Sequence, residues 1–314
     1  MKNNKNNINW SQVLSFQELT RFLDGNRLVE LSLSNHHLRD KLSPLIFRSI
    51  CLNSFSLEKY FINANGNEIY NQAYNEYMRY ITCSIACKCG KSKSKHLEHD
   101  HLLKTLDSSL TRIKKYVKSF KLQQLRSFGC FAFSLLYNFN NLENLEIQSS
   151  SIYYSDIINL ENLEKLKTLV LDLALIYDYN QYIEPSMINM PKNLEYISTV
   201  SCSEFKNRMS HCICDCLIIS ANNSNHPIEM LFPVPIPSLK RLKYSNNKAY
   251  KDCLQTYLKL NPQLVGLELE SGYITDGEAE YIATKCPNIS ELSIKDYLGS
   301  YEKNQFQPTI ILKN

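Results

Sequence analysis

Glycine is scarce in this 314-residue chain, with 8 in all, and neither a G-x-G-x-x-G nor a G-x-x-x-x-G-K pattern occurs. Loops that cradle phosphates by close backbone approach are therefore not expected. Long hydrophobic runs are also missing. The most apolar stretch, Phe128 to Phe139, is too short and too interrupted to cross a bilayer. The opening MKNNKNNINW is polar and lacks the apolar centre of a signal peptide. These absences predict an intracellular protein, cytoplasmic or nuclear, with no membrane partner. No G-x-S-x-G elbow and no H-E-x-x-H pair is found, so no catalytic residue is assigned and neither an enzyme nor a cofactor is expected. The 11 cysteines are odd in number and far below the density of a disulfide scaffold, which predicts free thiols packed as small hydrophobes.

What the chain does hold is ordinary globular composition, 44% hydrophobic and 21% charged, enough for a sizeable core. Net charge is +4, but residues 88–126 carry 11 Lys and Arg against Glu98, Asp100 and Asp107. That basic stretch lacks interleaved stacking aromatics, so nucleic-acid binding is disfavoured. Two Cys/His clusters raise the question of zinc: Cys83, Cys87 and Cys89 ahead of His96, His99 and His101, and His211 with Cys212, Cys214 and Cys216. Neither has the spacing of a standard finger, and no metal site is assigned.

The strongest pattern lies in Leu264–Ile294, LVGLELESGYITDGEAEYIATKCPNISELSI. Leu264, Leu267 and Leu269 follow an L-x-x-L-x-L spacing, in which the last two alternate as in a strand buried on one face. Ala279, Ile282, Ala283 and Cys286 then fall at i, i+3, i+4 and i+7, the stripe of an amphipathic helix, with Thr275 and Glu278 as a capping box and Pro287 as the stop. Cys286 reads as a buried packing thiol. One strand-turn-helix unit cannot bury its own apolar face, so it must stack on copies of itself. The L-x-x-L-x-L spacing recurs from Val117, Leu142, Leu166, Leu194 and Leu239, and closes at Ile289. Successive first positions differ by 25, 24, 28, 45, 25 and 25 residues, with one insertion of about twenty, and the Leu194 copy departs from the pattern at Thr199. The intervals fall in the range of leucine-rich repeats.

The last copy, ITDGEAEYIATKCPNISELSI, resembles the cysteine-containing leucine-rich repeat of the ribonuclease-inhibitor-like class. At the other end, residues 9–52 read as three short helices, with Leu19, Phe22 and Leu23 in the first, Leu28, Leu31 and Ser32 in the second, and Leu38, Leu42, Leu45 and Ile46 in the third, capped by Asn35. So small a core normally needs a partner. Leu23-Asp24, Leu28, Leu31-Ser32-Leu33-Ser34-Asn35 and Leu45-Ile46-Phe47 resemble an F-box, although Asn9-Trp10-Ser11 stands where that family has Leu-Pro. The two resemblances together imply a substrate-recognition adaptor of a Skp-cullin-F-box ubiquitin ligase. Trp10, Leu14, Leu19, Leu23, Leu28 and Leu31 would dock a Skp-type adaptor, and the repeats would hold an unidentified client protein. Two other readings stay open: a leucine-rich-repeat scaffold or interaction module with no ubiquitin-ligase role, and a basic nucleic-acid binder.

The expected architecture is α/β: a leucine-rich-repeat solenoid, with a curved parallel sheet and outer helices, behind a small three-helix F-box-like domain. The segments are a tail at 1–7, the helical domain at 8–52, a helical linker with a Lys-rich loop at 53–116, repeats at 117–296 with an insertion at about 203–237, and a tail at 297–314. With Leu267 and Leu269 inward, alternate residues point from the concave face. The expected client-binding set is Lys121, Gln123, Asn144, Glu146, Gln148, Asp172, Arg241, Lys243, Glu268, Glu270, Glu291 and Lys295, basic in the early copies and acidic in the late ones.

Overall fold

The computed structural model describes residues 23–34, 36–55, 104, 106–126, 129, 132–178, 188–206, 226–227, 232, 234–245, 253–270 and 276–295. In chain order the elements are α1 (Gly25–Ser34), α2 (His36–Ile46), β1 (Ser49–Asn53), β2 (Ser119–Arg126), β3 (Asn144–Tyr153), α3 (Tyr154–Ile158), β4 (Thr168–Asp172), β5 (Leu175–Asp178), β6 (Tyr196–Val200), β7 (Ser203–Lys206), β8 (His226–Pro227), β9 (Arg241–Ser245), α4 (Cys253–Leu260), β10 (Gly266–Glu270), α5 (Asp276–Lys285) and β11 (Glu291–Lys295). Short 3-10 turns at Lys114–Tyr116, Phe133–Asn138 and Asn159–Asn162 lie in the earlier connections, the last of them directly after α3. Among the described residues no helix is long and apolar enough to cross a membrane.

Eight strands form one open, all-parallel sheet in the order β1-β2-β3-β4-β6-β9-β10-β11. Through the two core rows the pairing follows the sequence repeat without slippage, and only past them does β2 shift against β3, between Gln123 and Arg126. Ile50, Phe120, Leu145, Leu169, Ile197, Leu242, Leu267 and Leu292 lie in one row, and Leu52, Leu122, Ile147, Leu171, Thr199, Tyr244, Leu269 and Ile294 in the next. A one-residue slip would turn both rows out to water, so burial of this face fixes the register. From Phe120 to Leu269 the apolar members of these rows are buried in a single continuous core, whereas Leu292 and Ile294 on β11 are half-buried. The Leu194 copy is a full strand, β6, with Leu194 and Ile197 buried. Thr199 occupies its core slot with a hydroxyl that finds no partner among the described residues.

Three sets of hydrogen bonds repeat with the sequence. The first apolar residue of each copy donates its N–H to the carbonyl three residues earlier, as in Leu142 to Phe139, Leu264 to Asn261 and Ile289 to Cys286. Pro262 and Pro287 sit at the second place of these turns, where their fixed φ suits a type I turn. One carbonyl per copy then accepts from two successive N–H groups of the next: Arg48 from Lys118 and Ser119, Lys118 from Glu143 and Asn144, Glu143 from Lys167 and Thr168, and so on to Val265 from Ser290 and Glu291. The residue just before the first apolar position reaches back to the preceding copy as well. Asn141 donates to the Lys115 carbonyl, Asn193 to Glu164, Ser238 to Leu194, Gln263 to Ile236 and Asn288 to Pro262.

The Arg48 carbonyl corrects the expected boundary at Leu52. Phe47, Ile50 and Leu52 have the L-x-x-L-x-L spacing, and β1 pairs with β2 from Ser49↔Ser119 to Asn53↔Gln123. These residues belong to the sheet and not to the helical segment. The described helices ahead of them, α1 and α2, pack through Leu28, Leu38 and Leu42, with Leu23, Leu31 and Ile46 at the margin. Pro44 lies inside α2, where its missing N–H leaves out the bond to the Asp40 carbonyl, and the Phe47 N–H still donates to the Ser43 carbonyl at 2.9 Å.

A second ladder branches from the end of β3: Ser151–Tyr153 pairs in parallel with β5, β5 with β7, and β7 antiparallel with β8. The expected insertion at 203–237 thus begins with a strand, and β6 still pairs directly with β9. Where the main sheet gives way to this ladder, Gln124, Ser149, Leu173 and Ser201 occupy equivalent positions and share left-handed backbone, with φ of 55°, 47°, 51° and 50°. The position that follows them is a polar ladder in part. The Leu125 N–H donates to Ser150 Oγ at 3.1 Å, and Cys202 donates its thiol to the Leu171 and Val200 carbonyls. Burial pushes the Cys202 thiol up to about 12, so it stays a neutral donor.

At the end of β3, Asp156 accepts the Tyr153 N–H at 3.0 Å and caps α3. Desolvation outweighs that bond and raises its carboxyl to about 7 from 3.8. The folded state therefore binds this proton more tightly than the unfolded chain does. Stability from this group is fully present below pH 3.8 and is lost as pH rises through about 7, by about 1.4 kcal/mol per pH unit inside that window. Urea titrations from pH 4 to 8 should show that slope in the native chain. Asp156→Asn should flatten it, and an unchanged slope would remove Asp156 as its source.

Candidate interaction surface

The alternation that buries one row turns the next outward, so each strand of the main sheet turns three positions toward its polar face. Lys121, Gln123, Glu146, Gln148, Asp172, Lys243 and Glu268 are half-buried there, Asn144, Arg241 and Glu291 are exposed, and Glu270 is nearly covered. Lys295 pairs with Glu270 through its backbone. The expected set therefore does share one face. Trp10, Leu14 and Leu19, and both Cys/His clusters, lie outside the described residues.

Neighbouring strands place unlike charges side by side. Lys121 meets Glu146 at 2.6 Å, and Gln123 donates to Gln148, which donates to Asp172. Glu143 takes Lys118 at 2.7 Å and Lys167 at 3.4 Å, and Lys240 meets Glu195 at 2.9 Å. The hydrogen bond from Lys118, joined by Lys167, holds the Glu143 carboxyl below the usual range. Lys243 lies 2.5 Å from Glu270 and 3.7 Å from Glu268. Burial alone would lower its pKa, but the two carboxylates raise it and keep the ammonium charged. Arg241 reaches Glu291 at 2.9 Å, two strands away, by lying across Gly266, where a Cβ would come within 2.9 Å of the Arg241 Cγ. The acidic end foreseen from the sequence is thus largely answered by Arg241 and Lys243. Exposed pairs of this kind contribute little stability each, roughly 0 to 1 kcal/mol, but they set where free charge remains.

The residues expected to dock an adaptor divide differently. Leu28 is only 9% exposed and serves the core shared by α1 and α2, so the structure does not present it outward; Leu23 and Leu31 are half-buried beside it. The i, i+3, i+4 pattern marks an apolar stripe without saying which surface covers it. The exposed apolar groups of this region are Val29 and Leu33 on α1, Leu45 on α2, and Phe55. Leu33, at 66%, was legible only as the central leucine of the Leu31–Asn35 run.

Compared with protein-family models and with curated proteins, the chain matches none.

Proposed function

We propose that the chain is a non-enzymatic substrate-recognition adaptor of the Skp-cullin-F-box type, in which α1 and α2 belong to a docking module for a Skp-type adaptor. The main sheet is then a leucine-rich-repeat solenoid whose polar face holds a client protein. The observation that carries this reading is the in-register stack of eight parallel strands, repeated in sequence and in three hydrogen-bond ladders, with a helix pair joined directly to its first strand. Such stacks present extended faces suited to gripping a partner.

The test is co-purification of the full chain with a Skp-type protein, compared with Leu33→Asp. Leu33 is exposed, so its replacement leaves the helix-pair core intact, whereas Leu28→Asp would bury a charge in it. Retention should fall at least tenfold with Leu33→Asp while thermal unfolding of the sheet is unchanged. No retention of the native chain would sink the adaptor role. It would favour the second reading, a repeat scaffold without a ubiquitin-ligase role, which the burial of Leu28 in its own helix pair supports.

A further inference from the structure

Charge pairing on the polar face breaks at one place. Glu143, Glu146, Glu195, Glu268, Glu270 and Glu291 each meet a lysine or arginine. Asp172 does not: among the described residues its contact is the neutral Gln148 amide at 3.3 Å. The adjacent strand carries no cation at the facing positions, where Ser198 and Val200 are buried and Tyr196 is half-buried.

Beside Asp172 stands Leu173, with φ of 51° and 53% exposure. Gln124, Ser149 and Ser201 hold the same place in neighbouring copies and are polar. A branched aliphatic side chain in left-handed backbone costs about 1–2 kcal/mol, and an exposed one recovers little of that by burial. Leu173 is nevertheless locked there, because its N–H continues the sheet by donating to the Val200 carbonyl at 2.9 Å. The strand thus presents, on consecutive residues, a carboxylate with no cation among the described residues and an exposed leucine held by the sheet, with half-buried Val170 two positions earlier.

We propose that Asp172 and Leu173, with Val170 beside them on the same strand, form the anchor site for an extended client segment that carries an arginine or lysine next to an apolar side chain. The cation would form a charge-assisted bond to Asp172, and the apolar side chain would cover Leu173. The anion at the centre disfavours nucleic acid, and the single charge with its neighbouring aliphatic specifies a peptide motif. This inference rests on the reading of the polar face as the client-holding surface.

A displayed library of random heptapeptides, selected on the full chain, tests it. Sequences with Lys or Arg within two residues of Leu, Ile, Phe or Tyr should be enriched. A synthetic peptide of the leading sequence should lose at least tenfold in affinity on Asp172→Asn and on Leu173→Ser, and its binding should weaken with salt. Leu173→Ser keeps the local geometry, since serine already occupies the equivalent position at Ser149 and Ser201, and Asp172→Asn keeps the side-chain shape; unchanged thermal unfolding checks both. If selected peptides lack the basic-apolar pair, or bind both variants as tightly, but lose binding with Lys121→Glu or Lys243→Glu, the anchor is wrong and the client-face reading stands. No selectable peptide would overturn both. A native dimer that Asp172→Asn dissociates would assign the site to a second copy and overturn the peptide anchor.

Discussion

Phe120→Ala should lower the unfolding free energy by about 3–5 kcal/mol, the cost of removing a fully buried aromatic side chain from a core that cannot collapse onto the space. Phe120 is 1% exposed and sits between Ile50 of β1 and Leu145 of β3, with its ring 5.1 Å from that of Phe139. It therefore holds β1 against the sheet as well as filling the first layer of the core. Urea unfolding is the measurement, with Phe120→Leu as the control that keeps most of the volume. The leucine variant should lose well under half as much. Equal losses would mean that the ring itself, rather than the space it fills, is what matters there.

Asn261→Leu should cost about 1–3 kcal/mol, the penalty for leaving a buried donor without a partner. Asn261 is 1% exposed and follows α4, at the start of the turn that leads into the next strand. Its Oδ1 accepts the Ile236 N–H at 2.9 Å, while its Nδ2 donates to the Tyr257 carbonyl. Tyr257 makes a parallel tie, its hydroxyl accepting the Phe232 N–H at 3.0 Å. These two side chains bind α4 to the chain 25 residues earlier. Tyr257→Phe should cost a similar amount, and in calorimetry the double variant should lose about the sum, because each orphans a different N–H. A double variant no worse than either single one would show that Phe232 to Ile236 detaches as a unit.

The repeat was legible in the sequence because its signal is redundant. Each strand contributes two core residues at a spacing only one register can bury, so even the Leu194 copy, with Thr199 in the wrong chemistry, took its place. β1 was not legible for the opposite reason. Phe47, Ile50 and Leu52 repeat the spacing, but Phe120, the next residue in their row, is 70 positions away and no interval points to it. The side ladder of β5, β7 and β8 was also hidden, since its pairing follows from the left-handed turn shared by Ser149, Leu173 and Ser201 rather than from any apolar period. On the polar face, alternation correctly gathered the exposed residues. It could not show that Arg241 spans Gly266, or that Asp172 would be left without a cation among the described residues, because such pairings depend on which strand lies beside which. Leu173 fell outside the L-x-x-L-x-L window altogether.

The passage from α2 to β1 is two residues long, Phe47 and Arg48, and the Arg48 carbonyl is fixed by two N–H groups of the sheet. There is no slack at that joint. Anything carried by the helix pair is held at a set bearing to the strand faces, as on a bracket, and not swung within reach on a tether. In the proposed adaptor, which part of a bound client faces the docked Skp-type protein is then decided by the angle of one short joint.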